Sequence, residues 1–356
     1  MIDYESAIAE IGELSATRVA GAVASLGEGA YRISGLGALA RVGDGVRVET
    51  AGGASIAGEV VAQERVAGEV QAVAMAFGPL AGAGVGDRVW LEPHPEPRPC
   101  DGWLGRTLDA FGRPVAGGAA PKGPRAAALR AAPPAAMRRR AIGARLSSGH
   151  GALDTLLPIC RGQRLGVFAG SGVGKSRLMG ALAQRMSADV VVIGLIGERG
   201  REVRDFVDRV LGPEAMRRAV VIAATSDQPA AVKRRAAWLT MATAEHFRDQ
   251  GRHVLLLLDS LTRLADAHRE VALTGGEAAS MNGYPPSTLN VIAGLAERAG
   301  PGVDDAGPGA PVCGDVTAVF TVLVAGSDME EPVADMTRGI LDGHVVLSRE
   351  IAERGR

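Results

Sequence analysis

Three sets of residues in this chain have types and spacings suited to holding a polyphosphate. The first is Gly170, Ser171, Gly172, Val173, Gly174, Lys175, Ser176 and Arg177, directly after the apolar run 165–169. Glycines let a backbone turn tightly around an anion, with N–H groups pointing inward and no Cβ in the way. A helix opening on Lys175 and Ser176 adds positive potential at its N-terminus. Lys175 can reach the β- and γ-phosphates, and the Ser176 hydroxyl can take a site on Mg²⁺. Ala169 stands where the strict form of such a loop carries its first glycine. The second set is Asp259, which closes the apolar run V-L-L-L-L-D and can hold Mg²⁺ through water opposite Ser176. The third is Glu198-Arg199 in I-G-E-R. There a carboxylate can polarise an attacking water and Arg199 can bind γ-phosphate oxygens. A salt-bridged turn that merely ends a strand explains Glu198 equally well, and spacing does not separate the two. The implied ligand is a nucleoside triphosphate with Mg²⁺.

These residues meet only if their strands lie side by side with their C-terminal ends on one edge, as in a parallel sheet. After Ser147 the pattern is of that kind, alternating strands and helices. Strands are expected at 165–169, 190–196, 220–224, 253–259, 316–324 and 345–348. Helices are expected from the Gly-rich loop to about 186, then over 202–211, 229–250 and 287–299, with a loop at 275–286. From 17 to 91 the pattern changes to six short strands, 19–25, 31–34, 45–50, 57–62, 70–76 and 87–91, separated by glycine. That density of short strands predicts a small closed β-barrel. A barrel that binds single-stranded nucleic acid needs aromatic platforms. This stretch offers Tyr31, Phe77 and Trp90, so a structural collar is the favoured reading. Residues 92–140, rich in Pro, Gly and Ala, read as a connection, and Arg138-Arg139-Arg140 within them as a solvated basic face. Tyr4, Ile8, Ile11 and Leu14 form one stripe of an acidic amphipathic helix, a partner-docking element or a terminus resting on its own domain.

At 356 residues the chain has room for two or three domains. Net charge is −1, so no global field points to nucleic acid or an acidic membrane. Cys100, Cys160 and Cys313 are too far apart for a metal-ligand pair or a disulfide framework, which suits a reducing compartment. The start M-I-D-Y-E-S has no basic and apolar regions of a secretory signal, and no apolar run reaches the length of a membrane span.

A-G-S-G-V-G-K-S, I-G-E-R-G-R-E-V, L-L-L-L-D-S-L-T-R, N-G-Y-P-P-S and R-G-I-L-D-G-H-V-V-L-S-R occur in this order. Together they resemble the flagellar and type III secretion export ATPases, relatives of the catalytic subunit of rotary F-type ATPases. The resemblance runs from about Thr17 to the last residue and includes F-G-P-L at 77–80 and G-W-L-G-R at 102–106. G-E-R-G-R-E-V and G-Y-P-P-S are its most specific parts, and the export branch usually shows Ala at position 169.

The resemblance implies an α/β protein: a small N-terminal β-barrel and then a RecA-like P-loop NTPase core with a mainly parallel sheet. It divides the chain into an amphipathic segment at 1–16, a barrel at 17–92, a connecting segment at 93–140 and the ATPase domain at 141–356. In its terms Lys175 and Ser176 hold phosphate and Mg²⁺, Asp259 is the Walker B carboxylate, Glu198 is catalytic and Arg199 touches the γ-phosphate. The implied cofactors are ATP and Mg²⁺, and the activity is ATP hydrolysis energising protein export. The implied assembly is a homo-hexamer, with a stator or regulator protein at the N-terminus and an export gate, export substrates or chaperones as partners. It would be cytoplasmic and peripheral at the inner-membrane export apparatus, with no nucleic acid expected. M-E-E-P-V-A-D-M-T-R-G-I-L-D-G-H at 329–344 favours the flagellar branch. The family continues past this chain's end into a Tyr-Pro segment that stacks on adenine, an arginine finger and a C-terminal helical domain, all expected to be absent here. Two alternatives remain: a RecA-type hexameric nucleic-acid motor, and a non-catalytic nucleotide-binding subunit of a rotary assembly.

Overall fold

The structure, a computed structural model, describes residues 18–92, 96–170, 172–280, 283–304, 313–324 and 328–355. The amphipathic stripe at 4–14 and Ser171 lie outside the described residues. The chain divides into two compact units. One extends to Pro95 and takes in Thr274–Gly276; the other holds Glu96–Leu273 and the residues from Glu277 onward.

The first unit is the expected closed barrel. Its strands are β1 (Val19–Leu26), β2 (Ala30–Ser34), β3 (Gly45–Glu49), β4 (Ser55–Val66), β5 (Glu69–Ala76) and β6 (Arg88–Glu92), in the order β1-β2-β5-β4-β3-β6, every pairing antiparallel. Alternation along the strands sends Val23, Ile33, Val46, Val48, Val60 and Val89 into one core. Tyr31 is in that core too, so its ring cannot serve as a surface platform for a base. Trp90 carries the Arg18 and Arg88 guanidinium groups near its ring, at 4.2 and 5.4 Å from the centroid. Closing the sheet removes its free edges, which is how so small a unit avoids edge pairing.

The second unit is built on a seven-stranded sheet. Its strands are β7 (Arg106–Leu108), β8 (Arg164–Ala169), β9 (Val190–Glu198), β10 (Ala219–Thr225), β11 (His253–Asp259), β12 (Asp315–Leu323) and β13 (Gly343–Leu347), in the order β13-β8-β12-β11-β9-β10-β7. All of its strand pairs are parallel. Strands buried on both faces read as continuous apolar runs, which is why V-L-L-L-L and V-V-V-I-G-L-I sit at its centre.

The longer helices mostly follow where the 3.6 period predicts; short ones at Gly151–Leu156, Pro332–Arg338 and Arg349–Glu353 are additions, and three other expectations are corrected. The helix expected over 202–211 is instead an α-helical turn at Gly200–Asp205, a π-helical turn at Phe206–Leu211 and a further turn at Gly212–Met216. The wider turn is held from outside: the Gln184 side chain donates to the carbonyls of Val210 and Leu211 at 2.7 and 3.3 Å. A helix at Leu261–Thr274 was not foreseen. Its inner face is Leu261, Leu264, Ala265, His268 and Val271, where a buried histidine and a small alanine dilute the apolar stripe. Third, Arg139 and Arg140 are not a solvated face. Arg139 donates to the Ala299 carbonyl at 2.7 Å and to that of Glu297, and Arg140 donates to Asp315 Oδ1 at 2.5 Å. The tract around them is thereby tied to the sheet, and β7, from the same stretch, pairs with β10.

Candidate active site

The loop after β8 turns through Gly172 (φ 78°) and Gly174 (φ 99°), a left-handed conformation that side chains with a Cβ resist. Gly174 is the N-cap of the helix Lys175–Arg185 and supplies no side-chain cap. The first-turn N–H groups therefore keep their donors for something else, and a helix N-terminus favours an anion. A cavity of about 720 Å³ opens beside this turn, walled by Val173, Arg177, Leu178, Leu156, Val345 and Leu347. Arg177 and His150 share its wall with these mostly apolar side chains, which suits a flat ring next to phosphates.

Parallel register brings the other residues to the same edge. β8 and β11 flank β12, and β9 lies on the far side of β11. Lys175 Nζ consequently donates to Asp259 Oδ1 at 2.6 Å and stands 3.5 Å from Glu198 Oε1. The Asp259 side chain is 4% exposed and that of Glu198 is 19% exposed. Burial, first, and the neighbouring Asp259 charge push the Glu198 carboxyl up to about 7, while the Lys175 ammonium pulls it back. A carboxylate that binds a proton this readily is equipped to accept one from water.

Of the residues marked by the sequence, Lys175, Glu198 and Asp259 are brought together. Ser176 and Arg177 are exposed on the same helix, and Gly170, Gly172, Val173 and Gly174 form the turn. Arg199 is not drawn in. Its side chain is 78% exposed and pairs with Glu202 at 3.2 Å, at the start of the next helix. Two neighbours carried no assignment from sequence. Thr321 Oγ1, on β12, donates to Asp259 Oδ1 at 2.7 Å. The stem of Arg263 lies against Gly197 (φ 72°), where a side chain's Cβ would stand 3.2 Å from it. Both come from elements distant in sequence, and a threonine in a mostly apolar strand is the signal for Thr321.

The site fits Mg²⁺ and a nucleotide. A lysine ammonium already neutralises the carboxylates where a cation is expected, and the turn offers unclaimed N–H donors for phosphate. Among the described residues no group of three or more His, Cys, Asp or Glu could cage a metal. A cation here would share its coordination with phosphate oxygens and water, as Mg²⁺ commonly does.

Comparisons with known proteins agree. Residues 149–356 match the nucleotide-binding domain of the ATP synthase alpha/beta family. The chain is 48% identical over 324 residues to the flagellum-specific ATP synthase of Caulobacter vibrioides, covering 90% of this chain and 72% of that protein. It is 47% identical to the flagellum-specific ATP synthase of Bacillus subtilis and 46% identical to the SPI-2 type 3 secretion system ATPase of Salmonella typhimurium, spanning 56% of the length of each. The assembled ATPase EscN of the enteropathogenic E. coli type III secretion system superposes with a TM-score of 0.83 at 38% identity, over 94% of this chain and 77% of EscN. The chain belongs to the ATP synthase alpha/beta family of P-loop ATPases, within its flagellar and type III secretion export branch.

Proposed function

We propose that this chain binds Mg²⁺-ATP at the loop 170–177 and hydrolyses it to energise protein export through a flagellar or type III secretion apparatus. The observation that carries the reading is the meeting of Lys175, Glu198 and Asp259 beside an uncapped helix N-terminus. The first-turn N–H groups bind the phosphates, and Lys175 exchanges its carboxylate partners for phosphate oxygens. Ser176 and Asp259 would hold Mg²⁺, which when bound would neutralise phosphate charge. Glu198 orients a water and takes its proton as the water oxygen bonds to the γ-phosphorus. The bond from that phosphorus to the bridging oxygen breaks, and ADP leaves with the electron pair. Arg199, exposed here, would have to swing inward to touch the γ-phosphate.

EscN has been solved assembled, and in complex with its central stalk EscO. By analogy we assign this protein a homo-hexameric assembly, a stator or regulator at its N-terminal segment, and export substrates, chaperones and an export gate as partners. Its place would be the cytoplasmic side of the inner membrane, held there by protein contacts. Among the described residues no helix is long and apolar enough to cross a membrane. The flagellar relatives favour a flagellar role. The test is Lys175→Ala titrated with a fluorescent ATP analogue. The variant should fold and lose about tenfold or more in affinity, as loss of a charged phosphate contact implies. Affinity equal to the parent's would mean that the loop is not the nucleotide site.

A further inference from the structure

β12 is the strand between the one that ends in the glycine turn and the one that ends in Asp259, and it is buried on both faces. Valine would fill such a strand without any need for polar partners, so each hydroxyl in it calls for an explanation. Thr317 and Thr321, four residues apart, point to the same face. Thr317 Oγ1 accepts the Gly162 N–H at 2.9 Å and meets His253 Nε2 at 2.8 Å, at the start of β11. Thr321 Oγ1 donates to Asp259 Oδ1 at 2.7 Å, at the end of β11. Both threonines are fully buried. The first is a structural tie at the edge away from the loop; the second is bonded to a carboxylate of the candidate site.

Asp259 Oδ1 thus has two donors, Lys175 Nζ at 2.6 Å and Thr321 Oγ1 at 2.7 Å. They differ in what they can do next. On the nucleotide-site reading above, Lys175 leaves for phosphate when the ligand arrives, on a long flexible stem. Thr321 stays, because its backbone is locked between β8 and β11 and its branched side chain is stiff at χ1. Among the described residues no hydrogen bond engages Asp259 Oδ2. We propose that Thr321 is a positioning residue for Asp259. Its hydroxyl anchors Oδ1, keeps the carboxylate in one orientation after Lys175 departs, and leaves Oδ2 for the hydrated cation. A hydroxyl bonded to a carboxylate also offsets part of the cost of burying that charge once the lysine has gone.

The test compares Thr321→Val, which keeps the shape and removes the donor, with Thr321→Ser, which keeps the donor. Each is titrated with a fluorescent ATP analogue in Mg²⁺ and again in EDTA, beside a urea denaturation curve. Thr321→Val should lose about tenfold or more of its Mg²⁺-dependent affinity, the scale seen when a ligand's outer partner is removed. Its affinity in EDTA should stay within about twofold of the parent's, and Thr321→Ser should return to within about threefold in Mg²⁺. Parent-like Mg²⁺ affinity in Thr321→Val, an equal loss in Mg²⁺ and EDTA, or failure of the serine to rescue would each overturn the inference. Should the valine variant not fold, Thr321→Ala against Thr321→Ser makes the same comparison. If the parent chain itself showed no Mg²⁺-dependent binding, the nucleotide-site reading would fall and this inference with it. A parent-like valine variant sinks the inference alone.

Discussion

Replacing Arg298 with methionine tests how the helices behind the active-site edge are held. Arg298 ends the helix Ser287–Arg298, and its side chain is 3% exposed. Its Nε donates to Glu245 Oε1 at 3.0 Å and its Nη2 to Oε2 at 2.5 Å, a two-pronged pair. A third nitrogen donates to the Leu129 carbonyl at 2.6 Å. Glu245 belongs to the helix Ala230–Asp249, which packs on β9 and β11, the strands that end in Glu198 and Asp259. Methionine keeps most of the stem volume and removes every donor, leaving Glu245 buried. Arg248 does not replace the lost partner well: it stands 3.9 Å from Glu245 and is engaged by Asp249 at 2.8 Å. Breaking a buried pair from one side costs about 3–5 kcal/mol. With a urea slope of about 2.5 kcal/mol per M, the midpoint should fall by roughly 1–2 M with the slope unchanged. Adding Glu245→Leu should recover most of that loss, because removing both charges avoids the uncompensated one. A shift worth less than about 1 kcal/mol, or a double variant no better than the single, would refute the reasoning.

Two further outcomes are expected. His268 is 7% exposed, and burial, followed by the Arg234 and Arg130 charges, holds it down to about 4 against the pull of Glu277. The unfolded chain takes up that proton near pH 6.5, so stability should drain away as pH falls from about 6.5 to 4, by about 3 kcal/mol in total. Urea midpoints of His268→Gln should be flatter than the parent's across that window, and an equal slope would contradict this. A Cβ on Gly180 would stand 2.2 Å from Val210 Cγ1 in the π-helical turn. Gly180→Ala should therefore destabilise by about 1–2 kcal/mol despite alanine's better helix propensity, and adding Val210→Ala should relieve it. A raised melting temperature for the single variant would show that the turn yields freely.

The barrel and the parallel sheet were legible because each strand's burial is written in local periodicity. The six runs are short and broken by turn residues, with clear alternation in β2 and β3, whereas V-L-L-L-L does not alternate, as a strand covered on both sides should not. The glycine turn was legible because its φ values demand those residues. What escaped depended on distant partners. The π-helical turn is set by Gln184 from another helix, and the Arg139 and Arg140 contacts reach across about 160 residues of chain or more. Thr321 is one of two hydroxyls in a mostly apolar strand, and its meaning appears only once Asp259 is placed beside it. Arg199 shows the converse: its place in the motif is plain, yet its side chain points to Glu202 and solvent.

The most direct measurement is the ATPase rate of Glu198→Gln beside its affinity for Mg²⁺-ATP. Glutamine keeps the shape of the group and loses the oxygen that accepts the water's proton. The parent chain should turn over ATP. The variant should bind Mg²⁺-ATP within about threefold of the parent and hydrolyse it about 100-fold more slowly or worse. Hydrolysis by Glu198→Gln at the parent rate would contradict the assignment of this carboxylate to the attacking water and leave it as the end of a strand.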